Sequence, residues 1–138
     1  MESSNDLAAL GQGSGRVLCS IRSIFPLDAV PDILTVDENK VTVELRQLLE
    51  AQTHVMLVSD IADVDLDATA LYATLRLQPR ATGAAWISIS NLKKEEAAKA
   101  RQLISGLMLA HERDIDLSQV DDGDLYGQVI ACGVTPKA

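Results

Sequence analysis

The chain has 138 residues and a formal net charge of −8, from 20 Asp and Glu against 12 Lys and Arg, and 47 % of it is hydrophobic. This length and apolar content support one packed domain and exclude a disordered composition. The acidic balance argues against polyanionic partners, because nucleic acids and anionic membranes are held by clustered Lys and Arg, which are scattered here among acids.

Trp86, Phe25, Tyr72 and Tyr126 are the whole aromatic complement, so the core must be aliphatic. No stretch approaches the roughly 20 apolar residues of a membrane span. Residues 1–15 are polar and lack a signal-type apolar region, which predicts a cytoplasmic protein. Cys19 and Cys132 stand far apart without a CxxC spacing and read as two reduced thiols.

Residues 1–15 read as a flexible leader, and residues 16–138 as a single α+β domain. Gly11, Gly13 and Gly15 do not make a phosphate loop, because no strand precedes them and a strand, not a helix, follows. That strand is predicted from Val17, Cys19 and Ile21 alternating with polar neighbours. Pro26 and Pro31 bracket a loop or short helical turn. Asp37, Glu38 and Asn39 form a turn.

Residues 40–46 then alternate cleanly, with Val41, Val43 and Leu45 on one side. From 45 to 52 the residues are good helix formers, so a helical turn competes with the end of this strand. Residues 54–61 are apolar on both faces at first, the pattern of a central strand. Asp60, Asp63, Asp65 and Asp67 read as a solvated acidic connection.

The clearest unit spans 69–112. Leu71, Ala73, Leu75 and Leu77 face one way and Tyr72, Thr74, Arg76 and Gln78 the other. A turn follows, with Gly83 able to take a positive φ. Ala85, Ile87 and Ile89 then oppose Trp86, Ser88 and Ser90. A hairpin pairing Leu77 near Ala85 and Arg76 near Trp86 keeps the apolar set together. A helix over 92–112, capped by Ser90 or Asn91, carries the stripe Ala97, Ala100, Leu103, Ile104, Leu107, Met108 and His111. Beyond it, three glycines predict short irregular pieces, with 129–134 as an edge strand.

Chemistry has few candidates. Alternating carboxylates suit a hard cation, which makes Asp63, Asp65 and Asp67 weak metal candidates. As an EF-hand loop starting at Asp63, the run puts Ala68 where glycine is required and Thr74 where a bidentate Glu belongs. His54 and His111 are the only histidines, with no zinc-type spacing around them, and His111 suits the negative end of the helix. No nucleophile sits in a G-x-S-x-G-like elbow.

Tyr72, Thr74, Arg76, Trp86 and Ser88 are the predicted partner-binding residues. Two of four aromatics share one outer face, and Trp, Tyr and Arg are enriched at the energetic centres of interfaces. The fold expected is an antiparallel sheet of four to five strands with one long amphipathic C-terminal helix packed on one face. The function expected is a non-enzymatic protein-binding module without cofactor: an adaptor, small acidic chaperone or regulatory subunit that also binds itself as a homodimer. The alternative is a sensor of a small, nucleotide-like effector on the Arg76/Trp86 face. A metal-dependent enzyme using the 60–67 cluster comes third.

Overall fold

Period-2 alternation dominates the chain, and most of it becomes sheet. The structure, a computed structural model, describes residues 16–24, 30–47, 49–117 and 120–133. The first four strands, β1 (Val17–Arg22), β2 (Ile33–Asp37), β3 (Lys40–Arg46) and β4 (Ala51–Leu57), form an antiparallel meander in that order. Register sets Ile21 opposite Leu34, Leu34 opposite Val43, and Val36 and Met56 opposite Val41, so one face is continuously apolar and buried. The Asp37 carboxylate accepts the Asn39 and Lys40 amides, at 2.8 Å each, and closes the β2–β3 turn.

A 3-10 turn (Val58–Asp60) carries the chain into a second antiparallel sheet of β5 (Ile61–Ala68), β6 (Tyr72–Pro79) and β7 (Ile87–Lys93). Two helices follow, α1 (Lys94–Glu112) and α2 (Asp122–Gly133). Helix α1 lies against β5, β6 and the 3-10 turn and also reaches β1 and β2. Its buried Ala97, Ala100, Leu103, Ile104 and Leu107 join the inner faces of both sheets and Leu125 and Val129 of α2 in one hydrophobic cluster. Burying each such Leu or Ile contributes about 1.5–3 kcal/mol, which makes this shared core the main source of stability. The Ile24 amide donates to the Asn91 carbonyl at 2.8 Å, joining the sheets at one corner.

The α+β architecture and the long helix packed on antiparallel sheet are as the sequence implies, with seven strands among the described residues divided between two sheets. Several local expectations are corrected. The acidic run is strand β5, because Val64 and Leu66 alternate with the carboxylates and supply an inward face. β4 is an edge strand ending at Leu57, and no helix interrupts residues 45–52 among those described.

The long helix starts at Lys94: β7 runs on to Lys93, and Lys93 takes the N-cap position with no side-chain cap bond, so Ser90 and Asn91 are strand residues. Leu71 lies in the turn before β6 and is 70 % exposed, outside the core to which alternation assigned it. Residues 129–133 are helical in α2, where burial of Leu125 and Val129 offsets the helix penalty of glycine. The leader, the segment 25–29 and residues 134–138 lie outside the described residues.

Candidate functional site

The outer face of the second sheet gathers the predicted partner-binding residues on one surface. Register places Arg76 opposite Ser88 and Leu77 opposite Ile87, two residues along from the predicted pairing. A two-residue shift leaves every side chain on its expected face. Tyr72, Thr74, Arg76 and Gln78 of β6 therefore lie outward beside Ser88 of β7, while Ala73, Leu75, Leu77 and Ile89 are buried beneath. Trp86, just before β7, is 47 % exposed at the edge of this face.

Local chemistry fixes the two ends of the site. At one end the Thr69 amide donates to the Tyr72 carbonyl at 2.8 Å, and the Thr69 hydroxyl accepts the Tyr72 amide at 3.1 Å, so a tight turn sets where Tyr72 emerges. At the other, the Arg80 amide donates to the Asp60 carbonyl at 2.9 Å, and Gly83 takes φ +82°, reversing the chain before Trp86. Near the end of β7, Asn91 has φ 60° beside a break in register between Ala73 and Leu75 of β6. Such a bulge re-aims the strand, here toward the start of α1.

The carboxylates expected on a separate loop belong to this same face. Asp63 lies opposite Gln78, Asp65 opposite Arg76 and Asp67 opposite Thr74. The Arg76 guanidinium passes over its direct neighbour to pair diagonally with Asp67 at 2.5 Å, and Thr74 donates to the Ser90 hydroxyl at 3.3 Å. With side-chain exposures of 45 % and 64 %, the ion pair contributes at most about 1 kcal/mol. Its value lies in ordering Arg76 on the surface.

Alternate residues along a strand stand about 6–7 Å apart, so Asp63, Asp65 and Asp67 form a row and do not converge on one cation. Among the described residues no group of three His, Cys, Asp or Glu is placed to hold a metal ion. Period-2 spacing of the acids with Val64 and Leu66 was the signal that would have put them on this face. Gln78 and Ser90, which alternation assigns to this face, also belong to it, although the predicted partner-binding set does not include them.

Other potential chemistry lies elsewhere and is dispersed. His54 sits in β4 opposite Val43, whereas exposed His111 ends α1 with Nε2 3.4 Å from the Glu38 carbonyl. Cys19 is a free thiol whose pKa is pushed up to about 11, chiefly by burial, which keeps it protonated and weakly nucleophilic at neutral pH. A cleft of about 530 Å³ opens where β1 meets β7, with Arg22, Ser23, Lys93 and Glu96 on its walls. Another, of about 370 Å³, lies beside Arg80 and His111 at the end of α1. Neither is lined by the Tyr72–Arg76–Trp86 face. No described helix is long and apolar enough to cross a membrane.

No protein-family model matches the chain, and no curated protein matches it in sequence. A solved structure does match in fold: a DUF1696 family protein with a pleckstrin-homology domain from Shewanella loihica PV-4, at a TM-score of 0.51 and 13 % identity. The match covers 75 % of this chain and 95 % of that one. Two antiparallel sheets of four and three strands with a long helix packed against them thus form a pleckstrin-homology-like fold.

Proposed function

We propose that this chain is a non-enzymatic protein-binding module, an adaptor or regulatory subunit of the cytoplasm, and that it docks its partner on the outer face of β5–β7. The observation that carries this reading is the composition of that face. Exposed Trp86, half-buried Tyr72 and an ion-paired Arg76 lie beside a row of three carboxylates on one sheet. Aromatic and Arg side chains supply contact area and hydrogen bonds at little entropic cost when the backbone beneath them is fixed. The row of Asp63, Asp65 and Asp67 selects a partner segment carrying Lys or Arg, in keeping with a chain of net charge −8. The free thiol of Cys19 suits a reducing compartment.

The test is affinity capture from host extract on the wild-type chain, followed by titration of the recombinant captured protein against wild type, Trp86→Ala and Arg76→Glu. Each variant is expected to weaken binding by about tenfold or more, the effect of a hot-spot residue. Added salt is expected to slow association, because the carboxylate row is exposed. Equal affinity of both variants and the wild type would refute this assignment of the face.

A further inference from the structure

Strand β4 differs from every other described strand: its sequence AQTHVML contains no Asp, Glu, Lys or Arg. Among the described residues it pairs with β3 alone, in an unbroken register from Lys40–Leu57 to Arg46–Ala51, and forms one edge of the first sheet. The other edges have neighbours. On β5, the Arg101 side chain donates to the Val64 carbonyl at 3.3 Å and α1 lies alongside. β1 and β7 meet at the corner where the Ile24 amide bonds Asn91.

The direction of β4's backbone groups follows from two bonds that bracket the hairpin. At one end the Val58 amide donates to the Asn39 carbonyl at 2.8 Å; at the other the Gln47 amide donates to the Glu50 carbonyl at 2.7 Å. Backbone groups alternate in direction along an antiparallel strand. Gln52, His54 and Met56 therefore bond β3, and Ala51, Thr53, Val55 and Leu57 turn their N–H and C=O groups to the open edge. The side chains of those same four residues are exposed, with Val55 at 56 % and Leu57 at 49 %. Natural sheets blunt such an edge with lysine, proline or a bulge, and β4 has none of these.

We propose that this edge seats a second copy of the chain, with β4 pairing antiparallel to β4 of the partner about a two-fold axis through His54. In that register Thr53 faces the partner's Val55, a β-branched pair, and Ala51 faces the partner's Leu57, a small side chain against a larger one. All four outward residues face outward residues, which allows about eight backbone hydrogen bonds across the joint. Charge selects the same edge. Two copies at −8 repel, yet β4 itself carries no carboxylate, and on the outward face of β3 beside it Lys40 and Arg46 at its two ends outnumber Glu44 opposite Thr53. The inference is independent of the partner face on β5–β7.

Sedimentation of the full chain over a concentration series is the test, with Val55→Lys, Thr53→Pro and Trp86→Ala alongside. Proline at 53 removes only an outward N–H and leaves the β3 ladder intact. The wild type is expected to dimerise. Val55→Lys and Thr53→Pro are expected to raise its dissociation constant by about tenfold or more, and Trp86→Ala to leave it unchanged. Thermal melts of each variant report that it is folded, and Val55→Lys carries the test should Thr53→Pro unfold. A wild type that stays monomeric up to about 100 µM would overturn the proposal. So would a dimer that survives Val55→Lys in a folded chain, or one that Trp86→Ala dissolves.

Discussion

Arg16 is expected to hold α2 to the body of the protein, although it sits just ahead of the first strand. Its guanidinium bonds both oxygens of Glu38, at 3.3 and 3.0 Å, and its backbone amide bonds the same carboxylate at 3.2 Å. It also donates to the carbonyls of Leu117 and Val120, at 2.8 and 2.5 Å, in the connection leading into α2. Replacing Arg16 with Met keeps the aliphatic stem and removes every one of the guanidinium bonds. The Glu38 side chain is only 12 % exposed and that of Arg16 27 %, so the carboxylate and two carbonyls lose partners that water only partly replaces.

Hydrogen bonds to charged groups contribute about 1.5–3 kcal/mol each where buried, and partial exposure reduces that. For the cluster as a whole, a loss of about 2–3 kcal/mol follows. At the usual unfolding entropy per residue, this lowers Tm by about 7–10 °C. Glu38→Gln, which retains one acceptor for Arg16, should lose about half as much. Urea unfolding measures the free energies, and amide exchange locates the effect, with α2 opening first in Arg16→Met. A loss below about 0.5 kcal/mol, or unchanged exchange in α2, would show that the clamp does not anchor the helix.

Two further perturbations follow from single positions. The Cys19 thiol, raised from 9.0 to about 11, is protonated in both folded and unfolded chains below pH 9, so its contribution is intact there. Above pH 9 the unfolded thiol ionises first, and stability should fall by about 1.4 kcal/mol per pH unit up to about pH 11. Comparing pH–stability curves with Cys19→Ala isolates this slope, and parallel curves would contradict it. At Gly83, where an added Cβ meets no atom within 4 Å but φ is +82°, Gly83→Ala should cost about 1 kcal/mol through backbone strain alone. Gly83→Asn, which tolerates this conformation, should cost less in the same denaturant titration.

The local alternation of the chain by itself determined most strands and the two faces of the hairpin. Those features depend on period 2, which places Leu75 and Leu77 inside and Thr74 and Arg76 outside whichever even register is adopted. The stripe on α1 was legible for the same reason, with a period of 3.6.

Tertiary contacts decided the rest. Low strand propensity made the aspartates of β5 look like a loop, but burial of Val64 and Leu66 overrides propensity when their neighbours face water. Glycines argued against a helix in α2, yet Leu125 and Val129 find a core waiting against α1. The boundary between β7 and α1 moved because strand pairing with β6 holds Leu92 and Lys93 extended.

Only the fold put Asp63, Asp65 and Asp67 beside Arg76, and Arg16 beside Val120, 104 residues away. It also left β4 at an edge, although the sequence reads as a buried strand. Alternation reports which side of a strand is apolar. Which strand lies beside which depends on pairing partners distant in sequence, and no local pattern encodes them.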